Sequence, residues 1–521
     1  MTSSVRWSGL VATSTAAAIA MMPCLGAQAL AQDADTVRVI HLVIDALHPD
    51  QIGPQTPFLP QLKDEAVSWE QHRAVMASET LPNHVAMATG TYPFRNGIAG
   101  NDGRAAVGDQ EPSDPDLGVP DLREAFSFTQ AIEAACPDLR TVTVFSKQYV
   151  WRTFSTDPAD ANFDQPQFNI PESGHALDAI TGEFILQELG ENGAPDYLFA
   201  NLGDVDRSGH IDASGFTGFP TAQLAALEQT DKLVGAIVEQ LRQSGAWDNT
   251  VLVVNSDHSM DWSTPGQGNV DVEAALEGDE RTAGAFFNSL NGGASSVYLL
   301  DPARADADAV LAAAREVILT LDGVDEALHR EPNLLDPGND LRAVHPAWRN
   351  WTPRAGEIFV TTLPGFKVGS QSANPLPGNH GMGATRHATL MITGGWDGLA
   401  PPVSIGVEDA SLVNPTDDTE LFPGQSEQVD LAPTYGWLLG VPDPGQTLGS
   451  SAPQWQGRVL EEAFQRQPTP RCAAVAPAVD DTPAAPGPDG QPSDEPLPAT
   501  GAAAVAAGLA GLGLWLAVRR R

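Results

Sequence analysis

Two rhythms of hydrophobic and polar positions alternate along the chain. Continuous apolar runs recur, each closed by a polar or Gly-rich loop: VRVIHLVID at Val37–Asp45, TVTVFS at Thr141–Ser146, then Tyr197–Leu202 and Thr250–Asn255. Short apolar runs rich in β-branched residues predict buried strands. Between them lie segments with apolar residues at helical spacing. Phe58–Val67 predicts a short helix and Ala176–Leu189 an amphipathic one. Thr221–Gln243 sets Leu224, Leu227, Val234, Val238 and Leu241 on one face, which predicts a long core-facing helix. Another helix is predicted just after Thr80, with Pro82 near its first turn. Strands alternating with helices predict an α/β three-layer sandwich, a mainly parallel central sheet covered by helices on both faces.

The rhythm changes over residues 294–350. Ser296–Leu300 is strand-like and Ala303–Leu321 helix-like, which predicts a small inserted α+β subdomain. Glu357–Thr362 and Thr389–Thr393 are expected to return to the main sheet, on either side of His380. From Gln465 to Pro496 the chain turns Pro, Ala and Asp rich, the composition of a solvated, extended linker. No internal repeat is visible.

The candidate chemistry lies where apolar runs end. Asp45, Thr80, Asp206, His210, Asp257, His258 and His380 occupy such positions, in VIHLVIDALHPD, ASETLPNHVAMATG, LFANLGDVDRSGH, VLVVNSDHSM and PLPGNHGMG. Strand ends that deliver Asp and His side chains to one edge of a sheet are how an open α/β fold builds a site. An Asp/His ligand set without Cys suits Zn²⁺ or Mn²⁺ at a hydrolytic centre. A hydroxyl residue within that set, Thr80, is a candidate nucleophile, since a bound cation and a helix N-terminus both favour its alkoxide.

The order and spacing of these motifs resemble the alkaline phosphatase superfamily, and within it the type I phosphodiesterase / nucleotide pyrophosphatase branch. The resemblance runs from about Val37 to about Phe464. TLPNHVAMATGTYPFRNGIAGND looks like the nucleophile segment of that branch, VVNSDHSM like its SDHGM motif, DVDRSGH like its PDxxGH motif, and GNHG like the loop of its last His ligand. Val429–Gly445 resembles the superfamily's closing helix and turn. The resemblance implies that Thr80 attacks phosphorus and forms a phosphoryl-enzyme. It implies that Asp45, Asp257 and His258, with Thr80, hold one metal, and Asp206, His210 and His380 the other. It matches Asn101 to a residue that contacts a nonbridging phosphate oxygen. Lys147 lies near a Lys that binds a doubly charged phosphoryl group in related monoesterases and phosphonate hydrolases; a solvated surface lysine is the alternative. Ser259 and Val205 depart from the usual Gly and Pro of their motifs. His41, His48, His72, His84 and His387 match no family role and read as structural or surface residues.

The implied activity is hydrolysis of phosphoesters, phosphodiester or pyrophosphate. A phosphomonoesterase or phosphonate hydrolase is the alternative within the superfamily, and a wall-displayed binding protein on an inactive fold is the alternative outside enzymology. A sulfatase would need Cys or Ser where Thr80 stands and Arg where His84 stands.

Charge and termini narrow the setting. A net charge of −39 over 521 residues argues against coating nucleic acid or docking on anionic lipid, so no stable nucleic-acid complex is expected. Residues 1–31 read as a secretory signal peptide: Arg6, an apolar stretch from Leu10 to Met22, then Ala27-Gln28-Ala29 and Ala29-Leu30-Ala31 as small-x-small cleavage sites. Leu497-Pro498-Ala499-Thr500-Gly501 precedes the apolar run Ala502–Val518 and three arginines. That order looks like an LPxTG sorting signal, which sortase cuts between Thr500 and Gly501 to link the protein to peptidoglycan. An ordinary membrane anchor is the alternative. The expected organisation is a signal peptide at 1–31, a catalytic domain at 37–464, a linker at 465–496 and a sorting signal at 497–521. Of three cysteines, Cys24 should leave with the signal peptide, and Cys136 and Cys472 either pair in the oxidising exterior or stay as buried thiols.

Overall fold

The run RVIHLVI forms the central strand Arg38–Ile44, buried along its whole length. It has two apolar faces. Val39 and Val43 enter one core and Ile40, Leu42 and Ile44 the other, which is why the run is continuous rather than alternating. The strand pairs in parallel with Tyr197–Leu202 on one side and Thr250–Asn255 on the other. Thr141–Phe145 extends the parallel set beyond Tyr197–Leu202. Leu390–Gly394 runs antiparallel to Thr250–Asn255 and to Val67–Trp69, and Val403–Ile405 completes a seven-stranded sheet beside Val67–Trp69. The computed structural model describes residues 36–101, 123–154, 175–266, 268–406, 425–448 and 452–472.

Helices cover both faces, as expected of the three-layer α/β class. Thr221–Gln243 is helical over the predicted span, with Leu227, Val234, Val238 and Leu241 fully buried and Leu224 at the margin. It shares its core with the helix Asp178–Glu191. The opposite face packs against Phe128–Ala135 and the closing helix Leu431–Leu439. The short helix ends at Asp64, earlier than expected, because Val67–Trp69 is taken as a strand by the sheet.

One strand went to a different sheet. Ile358–Thr362, expected in the main sheet, lies between Val324–His329 and Ala294–Leu299 in a four-stranded antiparallel sheet whose edge is Phe286–Asn291. The second sheet therefore draws on residues either side of 294–350. The helix Ala307–Ile318 covers it, and Val297, Ala314, Ile318, Ala327, Ile358 and Val360 form its separate core. It leans on the main body through Leu328, Trp348 and Phe359, which pack on Met76 and Ala77 just ahead of Thr80.

Residues 465–472, expected to begin the linker, are held to the body instead. Gln465 N donates to Gly398 O, Arg466 pairs with Asp397, and Cys472 is disulfide-bonded to Cys136 with their Cα atoms 5.3 Å apart. The proposed signal peptide, residues 473–496 of the linker, and the sorting segment with Thr500 and Gly501 lie outside the described residues. Among the described residues, no helix is long and apolar enough to cross a membrane.

Candidate active site

Four neighbouring parallel strands end on one edge of the main sheet, and each delivers a polar side chain there. Asp45 follows Arg38–Ile44, Asp257 and His258 follow Thr250–Asn255, and Lys147 follows Thr141–Phe145. After Tyr197–Leu202 the chain enters the helix Asp204–Ile211, which sets Asp206 and His210 on one face at i and i+4. Thr80 is the first residue of the buried helix Thr80–Thr89, rather than just before it.

These side chains converge on two clusters. Asp45, Asp257 and His258 each offer a ligand atom within 4.8 Å of the others, and so do Asp206, His258 and His380. His258 belongs to both. Its Nε2 lies 3.2 Å from Thr80 Oγ1 and 3.3 Å from Asp257 Oδ2. His210 Nε2 lies 3.4 Å from Asp206 Oδ1, and His380 Nε2 3.7 Å from the same oxygen. The ring of His380 stacks on that of His258, centroids 3.9 Å apart.

Backbone contacts aim the rings. His210 Nδ1 is 2.8 Å from Gly378 O and His258 Nδ1 is 3.0 Å from Ser259 O, so each presents Nε2 to the centre. Gly378 must be glycine, since a Cβ there would lie 2.2 Å from Gly209 O. The small sheet steadies His380: Gly293 N donates to His380 O at 2.7 Å. Gly292, at φ +64°, lies so close that a Cβ would meet the same oxygen at 2.7 Å.

Lys147 is not a surface residue. It is 1% exposed, and its Nζ lies 2.8 Å from Asp45 Oδ2, 2.8 Å from Asp206 Oδ2 and 3.2 Å from Thr80 Oγ1. Burial alone would lower its pKa, but Asp206 and Asp45 hold it well above the ordinary lysine value. Asp206 is the reciprocal case. Burial would raise it, yet Lys147 and His210 bring it well below the usual carboxylate range. Burial, then the neighbouring Asp45, pushes Asp257 well up, and burial raises Asp45 too. Burial lowers His258 to about 4 and drives His380 well down, which keeps both rings neutral near pH 7.

The donor set fits divalent cations. Three buried carboxyls and the imidazoles of His210, His258 and His380 gather around one lysine. Asp45 Oδ1, Asp206 Oδ1, Asp257 Oδ2 and His380 Nδ1 are buried without a hydrogen-bond partner. Buried polar atoms left unpaired are costly, and carboxylate and imidazole donors suit Zn²⁺ or Mn²⁺.

Asn101 stands beside the Thr80–Thr89 helix. Its Oδ1 accepts from Leu81 N at 2.6 Å, and Glu79 Oε2 accepts from Asn101 N at 2.6 Å. This fixes the carboxamide and leaves its NH₂ as the group to meet a ligand. His41, His72 and His84 are fully buried and act as braces: His41 with Asn255, His72 with Ser426, and His84 with Thr80 O and Asn201. His48 and His387 meet edge to face, at a centroid distance of 5.2 Å.

Three positioning residues escaped the sequence reading. Asn201 Nδ2 donates to Asp45 Oδ2 at 3.0 Å, and Asn201 Oδ1 accepts from Ser146 Oγ at 2.8 Å. The Tyr149 hydroxyl, pushed up to about 12 by burial, faces Lys147, Asp45 and Thr80. Glu79 precedes the Thr80–Thr89 helix and is the partner of Asn101. A polar residue inside the apolar run YLFANL was the available signal for Asn201; Tyr149 and Glu79 offered none.

Known proteins resemble this chain. The chain is 25% identical over 210 residues to the bis(5'-adenosyl)-triphosphatase ENPP4 of Pongo abelii, covering 39% of this chain and 43% of that protein. It is 23% identical over 237 residues to ectonucleotide pyrophosphatase/phosphodiesterase family member 3 of Mus musculus, 44% of this chain and 25% of that one. The matched region thus spans less than half the length of these curated relatives. Murine ectonucleotide pyrophosphatase / phosphodiesterase 5 superposes with a TM-score of 0.59 at 15% identity, covering 82% of this chain and all of that one. Phosphonoacetate hydrolase from Sinorhizobium meliloti 1021, solved with phosphonoformate, gives 0.53 at 16% identity over 78% of this chain and 96% of that one. Both likenesses concern the fold. The family profile of the type I phosphodiesterases / nucleotide pyrophosphatases matches residues 39–385, well over half of the chain, and the chain belongs to that family.

Proposed function

We propose that this protein is an exported, wall-anchored, metal-dependent hydrolase of phosphodiester or pyrophosphate bonds, with Thr80 as nucleophile. The observation that carries the reading is the place of the Thr80 hydroxyl. It heads a buried helix between two Asp/His clusters, 3.2 Å from His258 Nε2 and 3.2 Å from Lys147 Nζ. Two divalent cations, Zn²⁺ or Mn²⁺, would be held by Asp45, Asp257 and His258 and by Asp206, His210 and His380, and when bound would neutralise charge on the attacking and leaving oxygens.

The chain's own residues supply the rest. The N-terminus of the Thr80–Thr89 helix favours both the alkoxide and an incoming phosphate. Thr80 Oγ1 gives up its proton to water and bonds to phosphorus as the bond to the leaving oxygen breaks in line. The leaving oxygen takes a proton from solvent. Water then cleaves the phosphoryl-threonine, restoring the hydroxyl. Asn101, held through Leu81 N, donates its NH₂ to a nonbridging oxygen. An AMP complex of an inactive threonine-to-alanine variant of murine family member 5 agrees with a phosphoester ligand and an essential threonine.

A second reading rests on Lys147. A buried ammonium at hydrogen-bond distance from Thr80 is suited to gripping a doubly charged phosphate, as a monoesterase or phosphonate hydrolase requires. Comparing kcat/KM for bis- and mono-p-nitrophenyl phosphate decides between them. The diester should be preferred. Dominant monoester turnover that collapses in Lys147→Ala would favour the second reading.

The location follows from the termini: a signal peptide, a Pro-rich spacer and Leu497–Gly501 ahead of an apolar run and arginines. Sortase and peptidoglycan are then the partners. Muramidase-released protein should carry a wall fragment on Thr500. Detergent-soluble protein with Arg521 intact would show a membrane anchor instead.

A further inference from the structure

A cavity of about 290 Å³ opens beside the second cluster, lined by Glu79, Asn101, His210, Leu290, Leu376 and Asn374 among others. It rests between the main sheet's edge and the small sheet, which supplies Leu290 and Gly292 to its wall. On the reading of the site given above, attack by Thr80 in line places the leaving oxygen on the side away from Thr80. On the same reading the metal of Asp206, His210 and His380 meets that oxygen, and His210 and His380 line this cavity.

Apart from the metal that His210 and His380 would hold, the walls are polar and carry no cation. Among the described lining residues none is Lys or Arg, and Glu79 contributes a carboxyl. Of the three asparagines in the wall, Asn101 turns its NH₂ to the reacting phosphate, and Asn374 and Asn379 are turned inward on themselves. Asn374 Nδ2 donates to Val368 O and Asn379 Oδ1, and Asn379 Nδ2 donates to Leu376 O. What Asn374 retains is its carbonyl oxygen, an acceptor. With the Asn101 NH₂ taken by the reacting phosphate, a carboxyl, an amide oxygen and two leucines remain; they receive hydroxyl donors and carbon, and offer a second phosphate no donor. The volume lies at the lower end of small-molecule sites, which run from about 300 Å³ upward.

We propose that this cavity receives the leaving group, and that the group it takes is a small uncharged alcohol rather than pyrophosphate or a nucleoside polyphosphate. The preferred substrates are phosphodiesters whose departing half is neutral and hydroxylated, of about the size of glycerol or a monosaccharide.

One substrate with two unlike leaving groups tests this directly. In the mixed diester 4-nitrophenyl 3-carboxy-4-nitrophenyl phosphate, either phenol can depart, and the two differ by one negative charge. The ratio of phenols released in the first turnover reads the cavity's preference, independently of KM. The neutral phenol should leave in about tenfold excess. Leu376→Lys, on a wall position that is 40% exposed and so tolerant of change, should bring the ratio near parity. Ala373→Lys serves on the same wall should Leu376→Lys fail to fold. Parity in the parent enzyme, excess release of the charged phenol, or a ratio unmoved by either lysine would overturn the proposal. Refusal of the mixed diester by an enzyme that cleaves bis-p-nitrophenyl phosphate would overturn it too, since the neutral phenol remains free to depart. Failure to cleave bis-p-nitrophenyl phosphate itself would overturn the phosphodiesterase reading beneath it.

Discussion

The two sheets of this molecule divide the work. The seven-stranded sheet is mainly parallel and buried on both faces, and its strand ends bring Asp45, Lys147, Asp206, Asp257 and His258 to one edge. The four-stranded sheet is antiparallel, has its own core, and contributes none of the clustered acids and histidines. It touches the site from outside: it packs on Met76 and Ala77 ahead of Thr80, bonds the His380 carbonyl through Gly293, and walls the cavity with Leu290. The difference separates reactivity from selectivity. A parallel sheet whose strand ends share one edge can gather ligands from distant parts of a sequence. An inserted sheet can reshape the approach to that edge without disturbing it.

The largest effect should come from breaking the main sheet's edge. Asp257→Ala removes one carboxyl of the first cluster, and activity should fall by several orders of magnitude, with metal content falling alongside. Chelation of the parent should abolish turnover and added Zn²⁺ or Mn²⁺ should restore it; active metal-free protein would break the comparison at its root.

Damage of similar severity to the small sheet should read out differently. Ile358 is fully buried in that sheet's core. Ile358→Ala should cost about 3 kcal/mol in denaturant unfolding. Its metal content should stay at the parent level, with KM rising more than kcat falls. Loss of metal would show that the two regions are not separable.

The smallest effect is on pH dependence. Burial, with Asp204 nearby, raises Asp178 to about 7. A carboxyl whose folded pKa exceeds its unfolded value adds stability that is full below about pH 3.9 and is lost as pH rises through about 7. Asp178 Oδ1 accepts from Gly203 N and Oδ2 from Thr230 Oγ1, contacts an asparagine can reproduce once the Thr230 hydroxyl turns to Ala226 O. Asp178→Asn should therefore flatten the decline in unfolding free energy between pH 4 and 7, while leaving the ligand clusters intact. An unchanged slope would show that Asp178 does not titrate there.

Much of the main sheet's edge could be read from the sequence, because each clustered side chain closes or follows an apolar run. Asp45, Asp257 and His258 sit at strand ends, and DVDRSGH spaces Asp206 and His210 by one helical turn. The small sheet was harder. The β-rich run IFVTT marks Ile358–Thr362 as a strand, yet it says nothing about which sheet supplies its partners. Lys147 also illustrates the limit. Nothing local separates a lysine after a strand from a surface lysine; its burial follows from Asp45 and Asp206, distant in sequence and both 2.8 Å away. The cavity is likewise a product of convergence, with walls from residues 79, 101, 210, 290 and 376.

The central claim is that a hydroxyl on the main sheet's edge does the chemistry while the acids and histidines around it hold the metal. Metal content and turnover of Thr80→Ala, measured on one preparation, test it. The account predicts metal retained at the parent stoichiometry and turnover on bis-p-nitrophenyl phosphate reduced by about three orders of magnitude or more. Near-parental kcat in that variant would contradict it.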